Sequence, residues 1–170
     1  ASPLDRKPFI ETPVYKMLRK QADATLYKVT VTDEQRKAFQ RKKVLIASAD
    51  VHKFSQIIVD IVLKDAGFTV CNLGCNAEAS EIVDAICRER PDYIAVSTYN
   101  GVALSFVKEL KRLSEEKGVW NPASVFVGGR LNEDAGQKIP VDVTEDIARL
   151  GVRPSMLIED IVERIGEDLQ

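Results

Sequence analysis

From Lys43 to the C-terminus, apolar runs of strand length alternate with segments whose apolar residues recur every three or four positions. The runs Val44 to Ala49, Phe68 to Leu73, Tyr93 to Thr98 and Ser124 to Val127, with a weak fifth near Val152, predict strands. Between them, Gln56 to Ala66 gathers Ile57, Ile58, Ile61 and Val62 on one face, and Glu81 to Arg88 gathers Ile82, Ala85 and Ile86. Leu104 to Glu116 does the same with Phe106, Val107, Leu110 and Leu113, and Met156 to Ile165 with Leu157, Ile161 and Ile165. These are four amphipathic helices. Gly67 and Gly118 follow two of them where a left-handed cap is wanted. The alternation predicts successive βα units around a parallel sheet. Right-handed crossovers that cover both faces then give an α/β, doubly wound, flavodoxin-like five-stranded sheet of order 2-1-3-4-5.

Residues 1–42 differ in character, being rich in Lys, Arg, Gln and Pro, with helical signals at Pro13 to Ala22 and Thr32 to Gln40. The expected organisation is a charged, partly helical arm, 1–42, ahead of one domain, 43–170. The chain begins Ala-Ser-Pro rather than with Met, as a trimmed or expressed fragment would.

Composition narrows the function classes. With 24 Lys and Arg against 26 Asp and Glu, the formal net charge of −2 offers no electrostatic case for nucleic acid or a membrane surface. Cys71, Cys75 and Cys87 are an odd number in no zinc-like spacing, which fits a reducing compartment better than a disulfide framework. No apolar run has membrane-spanning length and no secretory signal is visible, so the expected location is the cytoplasm.

In the 2-1-3-4-5 order, the binding crevice lies at the carboxyl ends of strands one and three. The loops there are chemically unusual. After strand one come Asp50 and the chain's one histidine, His52; strand three ends in Ser97, Thr98, Tyr99, Asn100 and Gly101; after strand four come Gly128 and Gly129. An acid two residues before a histidine at a strand end is how a protein presents one imidazole nitrogen to a metal while holding the other. A glycine pair lets something bulky lie against bare backbone. A receiver domain would need an aspartate where Ser97 stands, and a flavodoxin would need a small hydroxyl-rich loop where Asp50 to Phe54 stand. No G-x-G-x-x-G or P-loop motif occurs. Taken singly, Asp50 with His52 is also an ordinary surface loop, Ser97 a satisfied strand end and the glycine pair a turn. Lys108, Lys111, Arg112, Glu115 and Glu116 read as a solvated helix face, and Trp120 as a packing anchor.

Taken together, these residues resemble the cobalamin (vitamin B12) binding domain family, whose pattern is D-x-H-x-x-G after strand one, S-x-L at the end of strand three and G-G after strand four. The resemblance covers about residues 43–170. The stretches Gly67 to Gly74 and Val125 to Gly129 look most like the small subunit of glutamate mutase, with the binding domain of methylmalonyl-CoA mutase close behind. It implies that His52 displaces the cofactor's own dimethylbenzimidazole and becomes the lower axial ligand of cobalt, while Asp50 accepts a hydrogen bond from the other ring nitrogen. The displaced nucleotide tail would run down between strands one and three, with Ser97 bonding its base, Gly128 and Gly129 leaving room, and Ser55, Tyr99 and Gly101 around it. Two residues depart from the pattern: Ser55 stands where the family has glycine, and Tyr99 where it often has leucine. Ser55 is expected to start the following helix and to narrow the tail channel.

The resemblance implies the cofactor-binding component of an adenosylcobalamin-dependent carbon-skeleton mutase, inactive alone, with a barrel-type catalytic subunit covering the upper corrin face. Adenosylcobalamin ranks ahead of methylcobalamin. A corrinoid methyl carrier of a methyltransferase system, or a non-catalytic cobalamin chaperone or sensor, are the alternatives. Methyl carriers usually place a helical cap of some eighty residues before the domain, and here about forty precede strand one.

Overall fold

The computed structural model describes residues 8–51, 53–99, 101–133, 141–155 and 158–170. In chain order the elements are α1 (Pro13–Tyr27), α2 (Asp33–Phe39), β1 (Lys43–Ser48), α3 (Lys53–Ala66), β2 (Thr69–Asn72), α4 (Ala79–Glu89), β3 (Tyr93–Thr98) and α5 (Ala103–Glu116). There follow β4 (Val125–Gly129), β5 (Asn132–Glu133), β6 (Val141–Asp142), α6 (Thr144–Arg149), β7 (Arg153–Pro154) and α7 (Ile158–Asp168). The main sheet is parallel with order β2-β1-β3-β4-β7, the expected 2-1-3-4-5 arrangement.

The strand sequences explain their place. Val44 to Ala47 and Tyr93 to Val96 are buried on both faces of the sheet, which is why these runs are continuously apolar rather than alternating. Successive residues then feed two separate cores. Leu45, Ala47, Ile94 and Val96 pack with α4, α5 and α6, whereas Val44, Ile46, Tyr93 and Ala95 pack with α3 and α7. Gly67 and Gly118 cap α3 and α5 with φ of +119° and +69°. The antiparallel pair β5–β6 and helix α6 were not foreseen from the sequence. Both are too short to carry a periodic signal.

The N-terminal segment folds onto the domain. Thr12 caps α1, whose first residue is Pro13, and Thr32 and Gln35 form a reciprocal capping box on α2. Leu18 and Ala22 of α1 are fully buried where the helix packs on α3. Arg19 pairs with Asp65, whose backbone carbonyl also accepts from Arg36. Phe39 at the end of α2 stacks on Phe68 with ring centres 4.3 Å apart. Complete burial of such a ring stabilises by about 2–3 kcal/mol, so α2 is a structural plug. Among the described residues no helix is long and apolar enough to cross a membrane.

Candidate functional site

Because β2 and β3 flank β1 on opposite sides, the chain leaves β1 and β3 in opposite directions and opens a crevice at their carboxyl ends. The register sets Ser48, Ser97 and Gly128 side by side across β1, β3 and β4. Gly128 and Gly129, expected in the loop after the fourth strand, are its last two residues.

Below this edge, a cleft of about 340 Å³ runs between α3 and α7 over β1, β3 and β4. Its floor and walls are mostly apolar: Ile46, Ala95, Phe126, Ile58, Val59 and Ile161. Of the residues singled out from the sequence, Ser55, Ser97, Tyr99, Gly128 and Gly129 line it. Ser97 follows Tyr93 and Ala95 on the same face of β3, and its Oγ is buried with no hydrogen-bond partner. Thr98 Oγ1 is in the same state on the opposite face, outside the cleft. An unpaired buried hydroxyl costs about 1–3 kcal/mol. The one on Ser97 has a cavity beside it that a ligand can fill.

Asp50 is 5% exposed and ties the two crevice loops together. Its Oδ2 accepts the backbone N–H of Tyr99 at 2.6 Å, and its Oδ1 lies 3.4 Å from Ser48 Oγ. His52, the expected metal ligand, lies outside the described residues, as does Asn100. Among the described residues no group of three or more His, Cys, Asp or Glu side chains is placed to hold a metal.

Ser55, expected to start the helix, is the third residue of α3, which begins at Lys53. The Tyr99 hydroxyl donates to its Oγ at 3.0 Å, so the two residues that depart from the family pattern are bonded to each other across the cleft. Gly129 is needed by the backbone itself: its φ is +95°, and a Cβ there would stand 2.2 Å from the Thr98 carbonyl oxygen. At Gly128 a Cβ would stand 3.0 Å from the Ser155 carbonyl oxygen, so a side chain there would require the β4–β7 edge to give by a few tenths of an ångström. Gly101 does not line the cleft; it is buried, with φ of +74°, just ahead of α5.

Several lining residues had no local signal in the sequence. Gln56 is buried and its amide donates to Asn72 Oδ1, which also accepts the Gly74 N–H. Ser155 is buried beside Gly128, its N–H bonded to the Val127 carbonyl at 2.8 Å. Thr25 and Lys28 come from the N-terminal segment and Glu159 from α7. At the amino end of the sheet, Arg153 makes two 2.8 Å bonds to the Asp168 carboxylate, which also accepts from Tyr93 Oη at 3.1 Å. The Arg153 guanidinium sits 5.2 Å from the centre of the Phe126 ring, steadying the cleft floor from behind. Arg153 holds Asp168 below the usual carboxylate range. Burial, then the bond to Asp168, pushes Tyr93 up to about 12.

Residues 43–149 match the family model of the B12 binding domain. The chain belongs to that family. Outside the family model, the B12 binding domain here is 30% identical over 117 residues to the 2-hydroxyisobutanoyl-CoA mutase small subunit of Aquincola tertiaricarbonis, covering 68% of this chain and 79% of that one. It is 25% identical over 127 residues to the glutamate mutase sigma subunit of Clostridium tetanomorphum, covering 71% and 92%. Against the methanol–corrinoid protein of Methanosarcina barkeri it is 28% identical over 89 residues, 52% of this chain but only 34% of that protein. Its fold is similar to a novel cobalamin-binding protein from Desulfitobacterium hafniense DCB-2, with TM-score 0.64 and 22% identity, covering 92% of this chain and 71% of that one. It is also similar to the methanol:cobalamin methyltransferase complex of Methanosarcina barkeri, with TM-score 0.60 and 20% identity, covering 76% and 46%. Coverage of 92% is more than residues 43–170 alone can supply, so the likeness of fold extends into the N-terminal segment.

Proposed function

We propose that the chain is the cobalamin-binding component of an adenosylcobalamin-dependent carbon-skeleton mutase, taking the cofactor with its own base displaced and His52 as the lower cobalt ligand. The observation that carries this is the cleft beneath the β1–β3 switch point, lined mostly by apolar side chains with the buried, unpartnered Ser97 hydroxyl beside it. A fused-ring base with ring nitrogens is matched by such walls and one such hydroxyl. The residues that would hold the tail are Ser97, Ser55, Tyr99, Gly128 and Gly129, and Asp50, buried at the end of β1, is the carboxylate that would accept from the imidazole of His52. When bound, cobalamin supplies a cobalt–carbon bond whose cleavage begins carbon-skeleton rearrangement. This chain's own groups bind and orient.

Val51, Phe54 and Val102, around the carboxyl edge of the sheet, are 64%, 46% and 45% exposed. Apolar side chains in that position suit a flat ligand covered by a partner, and a barrel-type catalytic subunit is the partner proposed. The two mutase subunits are matched over 79% and 92% of their lengths and the methanol–corrinoid protein over 34%, which favours the mutase over the methyl carrier.

The test begins with absorption titrations of the full chain with adenosylcobalamin and with methylcobalamin. Electron paramagnetic resonance of the cob(II)alamin complex should then show nitrogen coupling that changes when histidine is isotopically labelled. With one histidine in the chain, the assignment is direct. Coupling that follows the cofactor's own base sinks the ligation. Chain plus adenosylcobalamin should be inert towards glutamate and acyl-CoA substrates, and pull-down from native cells should recover a larger mutase subunit more strongly with cobalamin present. Recovery of a methyltransferase instead moves the chain to the carrier class, and recovery of neither to a chaperone or sensor.

A further inference from the structure

We infer that the N-terminal segment is part of the cofactor cleft, with α1 as its outer wall and Lys28 as the counter-charge for the anionic stretch of the cofactor tail. This rests on the cobalamin reading and extends it to residues that lie ahead of the family match, which begins at Lys43. Thr25 and Lys28 line the same cleft as Ser97 and Gly128. They are held there. Leu18 and Ala22 bury the inner face of α1, and Arg19 fastens it to Asp65 on α3.

The charges lining the cleft are few. Among the described lining residues Lys28 is the cation and Glu159 the anion, the others being neutral. Among the described residues Lys28, the C-cap of α1, has no ion-pair partner, in contrast to Arg19 within that helix, which pairs with both Asp23 and Asp65. Cobalamin's nucleotide tail carries a single phosphodiester charge between the corrin and the base. Lys28 is exposed on the cleft lining, and an ammonium on a flexible stem there is suited to meet that charge when the base lodges beside Ser97.

The experiment compares cobalamin with cobinamide, which has the same corrin but lacks the nucleotide, by equilibrium titration of the full chain at low and at high salt. Lys28→Ala should weaken cobalamin binding about 2- to 4-fold and Lys28→Glu about 5- to 10-fold at low salt, the range of a partly exposed ion pair and its reversal. The loss should shrink at high salt. Cobinamide affinity should not change. Lys20→Glu places the same charge change on α1 outside the cleft lining and should leave cobalamin affinity as it was. Thr25→Trp, which fills the cleft from the α1 side, should cost cobalamin more than about 10-fold while sparing cobinamide. Circular dichroism and unfolding midpoints confirm that each variant is folded. Unchanged cobalamin affinity in Lys28→Glu, or equal losses for both corrinoids, overturns the inference while leaving the cobalamin reading intact. A wild-type chain that binds neither corrinoid overturns both.

Discussion

Ser97→Ala is expected to move stability and cofactor affinity in opposite directions. In the free chain the Ser97 hydroxyl is buried without a partner, a state that costs about 1–3 kcal/mol relative to a satisfied group. Removing the oxygen relieves part of that cost, and the methyl that remains still packs beside Ala95 and Phe126. The variant should therefore be more stable by about 1 kcal/mol, seen as a rise of roughly 2–4 °C in melting temperature for a chain of this size. Binding should suffer. A neutral hydrogen bond to the buried base is worth about 0.5–1.5 kcal/mol, so affinity for cobalamin should fall by about 2- to 12-fold in absorbance titrations. Thr98→Val is the control, because its hydroxyl is equally orphaned on the other face of β3 and does not line the cleft. It should gain stability and leave affinity unchanged. Loss of stability in Ser97→Ala, or an affinity equal to wild type, refutes the reasoning.

The remaining expectations concern neighbouring features. Ser55→Gly removes the partner of the Tyr99 hydroxyl, lowering stability by about 1 kcal/mol, but relieves crowding in the tail channel; cobalamin affinity should stay similar or improve, and a large loss would mark the serine as a required contact. Gly129→Ala, forced to hold φ near +95° with a Cβ 2.2 Å from the Thr98 carbonyl oxygen, should destabilise by about 2–4 kcal/mol in urea unfolding. A wild-type unfolding profile would show that the β4 end shifts freely. The Tyr93–Asp168–Arg153 cluster gives the pH profile two limbs. Tyr93 is raised from 10.0 to about 12 in the folded chain, so its contribution is complete below about pH 10 and is lost towards pH 12; Tyr93→Phe should flatten that alkaline limb. Asp168 is lowered below 3.8, chiefly by its bonds to Arg153, so its contribution is present above that value and fades as pH falls through the folded value. Asp168→Asn should flatten the acid limb without altering cobalamin affinity.

Buried strands were the most legible feature of the sequence. β1 and β3 are apolar on both faces, and a run of that kind between glycine-capped amphipathic helices has few other homes, so the order of the main sheet followed. Boundaries were softer: α3 begins at Lys53 rather than Gln56, because Lys53 to Ser55 add no apolar repeat. At the site, Ser55, Ser97, Tyr99, Gly128 and Gly129 were readable because each sits at a strand end or helix start that the topology brings to one edge. What could not be read was pairing across the cleft. Nothing local says that Ser55 and Tyr99 bond to each other, or that Gly129 is excluded from carrying a side chain by the Thr98 carbonyl rather than by a ligand. Lys28 and Thr25 were invisible for a stronger reason. Their role depends on where a helix from outside the repeating βα pattern docks, and docking is set by Leu18, Ala22 and the Arg19–Asp65 pair acting together.

Asp65 serves two masters: its side chain holds Arg19 of α1, and its carbonyl holds Arg36 of α2. One residue at the end of α3 thus contributes to holding both helices that precede the sheet. For anyone grafting this module onto another protein, a cut at Lys43 severs both attachments and bares the surfaces that Leu18, Ala22 and Phe39 cover. The transferable unit starts upstream of α1, and a graft that keeps it should travel with its own solubility and its own cleft wall.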